Sequence, residues 1–187
     1  MLEGRGVEHD LGPAHGEDVQ VPAPDPVGGS RDFLTFLVLS TQPYVLVPAI
    51  LLVAAVCLAA RRRRDALLAV AGPSIAISLN TWALKPLFDR EATGPGVANT
   101  LAYPSGHTVS LVSTLVVLTL LARPGVATAV TAVIGAVLLA AAGLGMIGLG
   151  YHYFTDIVGG TLFATAEVFA LRLAISPSRP GPVPSTG

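Results

Sequence analysis

The stretch YPSGHTVSLVSTLVVLTLLA, residues 103–122, joins a short polar motif directly to an apolar run without Asp, Glu, Lys or Arg. A helix needs about 20 apolar residues to cross a bilayer. Because the lipid interior offers no hydrogen-bond partners, such a run satisfies its own backbone by forming a helix. The stretch therefore predicts a membrane-spanning helix over Ser105–Ala122, with the motif at the polar edge of the membrane.

The whole chain has the composition of a membrane protein. Hydrophobic residues make up 52% of its 187 residues, charged residues make up 12%, and the mean hydropathy is +0.67. Soluble domains carry about 25% charged residues. The formal net charge of −1 does not indicate nucleic-acid binding, and the single Cys57 has no second cysteine for an intrachain disulfide.

Five apolar runs are long enough to span a membrane. The first contains Pro43 and Pro48, so residues 33–40 could instead form a separate interfacial or re-entrant turn. The sequence predicts an all-α, multi-pass transmembrane helix bundle with about five spans, or six helices if an N-terminal interfacial helix is counted. The predicted spans are Phe33–Ala60, Asp65–Pro86, Ser105–Ala122, Val126 to about Gly148, and Tyr151–Ile175.

Arginines cluster on one side of this predicted bundle. Since cytoplasmic loops are enriched in Lys and Arg, that side is predicted to be cytoplasmic. The motif at residues 103–107 then lies on the outer face, as do the residues that begin the fifth predicted span. The Ala, Val, Gly and Arg usage favours a bacterial source and therefore the bacterial plasma membrane. The arginines on the predicted inner side are Arg61–Arg64, Arg123, Arg172 and Arg179.

The chain is predicted to consist of one membrane domain between two tails. Residues 1–30 are acidic and rich in Pro and Gly, which predicts a disordered N-terminal tail and not a secretory signal. Residues 31–176 form the membrane domain, and residues 177–187 form a C-terminal tail.

The polar motif before the third span has the features of an anion site. Ser105 is placed to cap a helix N-terminus, so the backbone amides after it point unpaired toward the loop. Gly106 lets a bound group approach the backbone, and His107 lies in the first turn, within reach of the same anion. The alternative interpretation is an ordinary helix start with a solvated histidine.

A second set of polar residues lies at the start of the fifth span. His152 and Asp156 are four residues apart, so on a helix they share a face, and the carboxylate can fix the histidine tautomer for nucleophilic or basic chemistry. A simple surface pair is the alternative, although ionisable residues in spans are a functional hypothesis by default.

Two cations are predicted on the same side. Lys85 and Arg90 add fixed positive charge there, unless they only snorkel and decorate a loop. Together these groups predict a phosphoryl-transfer site that needs neither a metal ion nor another cofactor.

These residues resemble the three-part signature of the type 2 phosphatidic acid phosphatase (PAP2) superfamily. Its members are membrane lipid phosphatases related to vanadium haloperoxidases. The middle part matches fully, and the last part matches in its His-x-x-x-Asp half. The resemblance rests on Lys85 and Arg90, on Pro104-Ser105-Gly106-His107, on His152 and Asp156, and on the following Gly159-Gly160.

Two positions depart from the family pattern. The first part usually has Arg-Pro seven residues after the lysine, whereas this chain has Ala92 there and places its arginine at residue 90. The last part usually has an arginine six residues before the histidine, where this chain has Met146. A charge-assisted contact to phosphate contributes roughly 1.5–3 kcal/mol, so both departures bear on activity.

The resemblance implies a phosphatase acting on a polyprenyl diphosphate, a phosphatidic acid-like lipid or a prenyl-linked sugar phosphate. It implies that His152, oriented by Asp156, forms a phosphohistidine and that His107 protonates the leaving oxygen. Halide oxidation with bound vanadate, lipid-phosphate binding without turnover, and a small membrane carrier are the alternatives. The residues implied to bind the phosphate are Lys85, Arg90, Ser105 and Gly106.

Overall fold

The computed structural model describes residues 28–90 and 101–176, which form helices and turns without a β-strand. The prediction of an all-α helix bundle is confirmed. The predicted N-terminal tail was residues 1–30, of which residues 28–30 begin the first helix. Residues 1–27, the predicted C-terminal tail at residues 177–187, and the loop containing Ala92 lie outside the described residues. The helices are α1 Gly28–Val38, α2 Pro43–Ala59, α3 Arg63–Leu79, α4 Lys85–Phe88, α5 Gly106–Leu121, α6 Val126–Gly148 and α7 Phe154–Ile175.

The first predicted span consists of two helices. A 3₁₀ turn at Leu39–Thr41 ends α1, Gln42 is extended, and Pro43 begins α2. Proline disfavours a helical conformation in the residue before it, and its fixed φ suits the first residue of a helix. The break between the two helices therefore falls directly before Pro43. A separate N-terminal helix is therefore present, its interfacial position stays a prediction, and α1 packs against α6.

Helix α5 lies at the centre of the bundle. It packs against α3, α6 and α7 and buries residues on all its faces, including Val109, Leu111 and Val117. Its polar side chains bond to the preceding turn, as where the Thr114 hydroxyl donates to the Ser110 carbonyl over 2.8 Å. Because its neighbours cover it, α5 has little surface left to face lipid.

The outer surface of the bundle is apolar. Leu52, Leu144 and Leu173 are 66%, 65% and 75% exposed. Such a surface is typical of a protein whose solvent is lipid. Among the described residues, four helical segments are long and apolar enough to cross a membrane, and α5 is a shorter apolar helix of 16 residues. The four are Gly29–Ala59, Arg63–Phe88, Val126–Gly148 and Phe154–Ile175.

The bundle has two chemically different ends. At one end, the start of α3 meets the end of α7, where Arg172 Nη1 lies 3.0 Å from Asp65 Oδ1. We call this the basic end because Arg61–Arg64 and Arg123 also lie there. At the other end, the last residues of α4 meet the first residues of α5 and α7. We call it the site end, since it contains all the predicted site residues.

A π-helical turn at Asn80–Leu84 joins α3 to α4 near the site end. Each π turn inserts one extra residue relative to an α-helix, and such turns are frequent at functional sites. Because of this extra residue, the Lys85 side chain projects in a different direction from the one it would have if α3 continued as a regular α-helix. The segment ends at Asp89, whose φ of 44° turns the chain sharply so that Arg90 points back over the bundle.

Candidate active site

Asp156 is the anchor of the site end. It is fully buried in the first turn of α7, and its Oδ2 accepts a 3.0 Å hydrogen bond from the Tyr153 backbone N–H. His152 Nδ1 lies 3.4 Å from the same oxygen. The expectation that both residues are helical is wrong, since α7 begins at Phe154 and His152 precedes its extended N-cap residue, Tyr153. The pair nevertheless forms, because Asp156 reaches back across the helix start.

Arg90 approaches Asp156 from the opposite side. Its Nη1 donates to Thr155 Oγ1 over 3.0 Å and lies 3.4 Å from Asp156 Oδ1, and its guanidinium carbon lies 4.6 Å from the centroid of the Tyr153 ring. Sequence reasoning did not single out Thr155 or Tyr153. Their only local signal was their position beside His152 and Asp156. These contacts connect Arg90 to the carboxylate that orients His152.

Ser105 joins the two motifs through its backbone. Its N–H donates to the Asp156 carbonyl over 3.1 Å, and its hydroxyl accepts from the Thr108 N–H over 3.3 Å. The predicted N-cap is thereby confirmed. These two bonds occupy both the N–H and the hydroxyl of Ser105, which is fully buried. The remaining donors in the first turn of α5 are the N–H groups of Gly106 and His107. Neither group has a hydrogen bond among the described residues.

The two histidines face each other across the site. The ring centroids of His107 and His152 are 6.0 Å apart, with planes inclined by 67°. Lys85 Nζ donates to the Leu101 carbonyl over 2.7 Å, and its charge interacts with both Asp156 and His107. The structure thus brings all seven predicted site residues to one end of the bundle.

The helix N-termini are held together by close backbone packing. Asn80 Nδ2 lies 3.4 Å from the Pro104 carbonyl, which fixes the motif against the π turn. A Cβ atom added at Gly160 would lie 3.1 Å from the Ser105 carbonyl oxygen, and one at Gly159 would lie 2.6 Å from the Tyr103 ring. The glycine pair is therefore required for α7 to approach the start of α5 this closely.

A family model described as PAP2 superfamily matches residues 66–179, more than half of the chain. The chain belongs to the PAP2 superfamily. Membership supports a phosphatase-type function, since PAP2 proteins are generally phosphatases. Comparisons with curated proteins and with solved structures gave no match.

This PAP2 chain departs from the family pattern at a buried position. Met146 is fully buried in an apolar cluster with Val38, Leu111 and Ile157, and its sulfur lies 3.8 Å from the Ser105 hydroxyl. The side chain therefore packs beneath the motif and brings no charge to it. Within the described parts of this PAP2 chain, no three His, Cys, Asp or Glu side chains are grouped so that they could hold a metal ion.

Proposed function

We propose that the protein is an integral-membrane lipid phosphatase that hydrolyses a phosphomonoester or diphosphate of a lipid through a phosphohistidine on His152. The observation that carries this proposal is the contact of His152 Nδ1 with buried Asp156, opposite the ring of His107. A histidine with one nitrogen held by a carboxylate presents the other as a nucleophile.

The first half of the reaction transfers the phosphoryl group to the protein. With Nδ1–H directed at Asp156, the lone pair of His152 Nε2 attacks phosphorus, and the bond between phosphorus and the leaving oxygen breaks. His107 gives its proton to that oxygen. In the second half, water attacks the phosphohistidine, His107 takes a proton from the water, and inorganic phosphate leaves with His152 restored.

The negative charge on the transferred group needs positive partners. In this scheme Lys85, whose charge acts on both His107 and Asp156, and the N–H groups of Gly106 and His107 are those partners. A helix N-terminus and a cation together stabilise phosphate oxygens as charge develops. In this scheme Arg90 holds Asp156 in place and adds long-range positive charge, and its direct contact with phosphate stays a prediction.

The position of the site supports a lipid substrate. Large apolar side chains are exposed beside it, with Trp82, Leu87 and Phe154 at 82%, 74% and 69%. Aromatic side chains at a bundle end are typical of the membrane interface, where a lipid phosphate lies.

The proposed location is a bacterial plasma membrane with the site on the outer face, opposite the arginine-rich end. The proposed substrates are a polyprenyl diphosphate, a phosphatidic acid-like lipid or a prenyl-linked sugar phosphate.

Lipid-phosphate binding without turnover is the second candidate. It is favoured by Met146, which supplies no cation where the family usually has one, and by the engagement of Arg90 with Asp156. Retention of both histidines and of the buried aspartate favours catalysis.

The decisive experiment measures phosphate release from a panel of lipid phosphates by purified protein. We expect turnover that persists in EDTA, is abolished by His152→Ala, and is unchanged by His15→Ala, which removes a histidine distant in sequence from both motifs. A folded protein that binds the lipids without releasing phosphate would contradict the enzyme proposal and support the binder. Loss of turnover in EDTA, restored by added metal, would contradict the metal-free mechanism.

A further inference from the structure

We propose that the basic end binds the phosphate group of an anionic phospholipid, at a site separate from the candidate active site. An open cavity of about 430 Å³ lies there, and we call it the basic pocket. It is formed where the turn between α2 and α3 meets the end of α7. Its lining includes Arg61–Arg64, Asp65, Arg172 and Ile175.

The basic pocket carries a large excess of positive charge. Five arginines and one aspartate line it, which leaves a net charge of +4. Asp65 is fully used, because Oδ2 lies 2.7 Å from Arg62 Nε and Oδ1 lies 3.0 Å from Arg172 Nη1. Among the described residues, Arg61, Arg63 and Arg64 have no ion pair. The pocket therefore presents three guanidinium groups without a counter-charge in the described part of the protein.

The pocket is more than a row of positive residues at a membrane edge. Asp65 connects Arg62, from the turn before α3, to Arg172, which is 107 residues away in the chain from Asp65. This brings arginines of two different elements around one cavity. The planar guanidinium group matches the oxygens of a phosphate in a bidentate geometry.

The backbone at Arg61 has the left-handed conformation that commonly ends a helix. Its φ is 58°, and the bonds from Arg61 N to Leu58 O and from Arg62 N to Cys57 O close α2 in a Schellman motif. Glycine strongly favours this left-handed position, whereas a residue with a side chain adopts it at a cost. Here the position carries an arginine whose side chain lines the pocket.

The position of the pocket favours a lipid headgroup over a soluble anion. The pocket lies directly where three apolar helices end, and Ile175 contributes apolar surface to its wall. Headgroup phosphates lie near the ends of membrane-spanning helices, and basic pockets between helix ends are suited to anionic headgroups. The positive-inside rule accounts for arginines on this side, but it does not require them to surround a cavity.

The test uses purified protein in detergent, where orientation in the membrane has no effect. A short-chain phosphatidylglycerol is titrated, and its affinity is read from the shift of the thermal unfolding midpoint. Phosphatidylcholine of the same chain length and inorganic phosphate are titrated in parallel. We expect a saturable upward shift with phosphatidylglycerol and a much smaller shift with the other two.

Two variants and one control locate the binding. Arg61→Gly and Arg64→Gln are each expected to weaken phosphatidylglycerol binding about fivefold. Arg61→Gly should not lower the unfolding midpoint without lipid, because glycine suits the left-handed backbone. The matched control, Arg123→Gln, removes an exposed charge from the same end outside the pocket and should leave the affinity unchanged. His152→Ala should also leave it unchanged.

Three results would overturn the proposal. Equal weakening by Arg123→Gln would mean diffuse electrostatic attraction. An equal response to inorganic phosphate would mean a site for free anions. Loss of the response in His152→Ala, with both pocket variants unaffected, would mean that the lipid binds at the site end.

Discussion

Asp156 contacts more of the candidate-site residues than any other residue of the site among those described. Its side chain is aligned by the Tyr153 N–H and contacts His152 and Arg90, while its backbone carbonyl accepts from Ser105. Full burial strengthens these electrostatic contacts, since little water competes for them. One carboxylate thus orients the proposed nucleophile and also joins the two motifs.

Removing the charge of Asp156 tests its orienting role. In Asp156→Asn the amide oxygen can still accept from Tyr153, but the carboxylate proposed to fix the tautomer of His152 and the charge facing Arg90 are lost. We expect kcat to fall roughly 100- to 10,000-fold with the fold retained. Steady-state phosphate release measures the effect. Asp89→Asn, the same change at an exposed residue near the site, is the control. Equal losses in both variants would contradict the assignment.

Arg90 can be tested by a change that keeps its charge. Lysine cannot span Thr155 and Asp156 as the planar guanidinium does, so Arg90→Lys should loosen Asp156. We expect kcat to fall about tenfold or more while KM stays nearly constant, because a positioning residue acts through Asp156 and not on bound substrate. A rise in KM with unchanged kcat would instead identify Arg90 as a phosphate ligand.

At the level of elements, glycines set the distances between helices. Gly145 and Gly148 of α6 face α1, and a Cβ atom at Gly145 would lie 2.8 Å from the Leu34 carbonyl oxygen and 2.7 Å from a Val38 methyl group. Backbone this close cannot move aside without displacing the whole helix. The same packing positions Met146, which lies beneath Ser105. Small residues at helix interfaces serve this purpose in membrane proteins.

Substitution of one glycine should therefore separate α1 from α6. We expect Gly145→Ala to destabilise the protein by about 1–3 kcal/mol, because the added methyl group overpacks the contact. Thermal unfolding in detergent measures the change. Gly135→Ala is the matched control on the same helix, since its Cβ would meet the Leu115 side chain at 3.5 Å, an ordinary contact. Equal stability of both variants would contradict the close packing of α1.

At the level of the whole molecule, the two ends of the bundle differ in chemistry. The site end contains two histidines, an aspartate and the N-termini of α5 and α7. The basic end contains arginines from the turn between α2 and α3, the turn between α5 and α6, and the end of α7. A difference in positive charge between its two ends gives a membrane protein a defined orientation, because arginines are retained on the cytoplasmic side.

Cysteine labelling tests this orientation. In a Cys57→Ala background, which removes the buried native thiol, Asp89→Cys and Arg123→Cys each add one exposed thiol at opposite ends. We expect a membrane-impermeant maleimide to label intact bacterial cells at residue 89, and to label residue 123 only after the cells are opened. The reverse pattern would place the candidate site on the cytoplasmic side and contradict the proposed location.

Much of the architecture was predictable from local sequence. Uncharged apolar runs predicted the helices, Pro43 marked the break before α2, and Ser105 marked the start of α5. These features depend on neighbouring residues and on the length of a run relative to the bilayer. The start of α7 was predicted wrongly at Tyr151. The N-cap residue of α7 is Tyr153, and tyrosine is not a residue type that commonly precedes a helix, so the sequence carried no local signal for the true start.

The amino-acid sequence by itself determined that this chain is an all-α membrane protein with the PAP2 motifs, because hydropathy, span length and short motifs are local properties. Only the tertiary structure decided which groups meet. Arg90 bonds to Thr155 across 65 residues, the Ser105 N–H is used by the Asp156 carbonyl, and Met146 packs beneath the motif. Contacts of this kind depend on how α3, α5, α6 and α7 pack, and side-chain packing between distant segments leaves no periodic signal in the sequence.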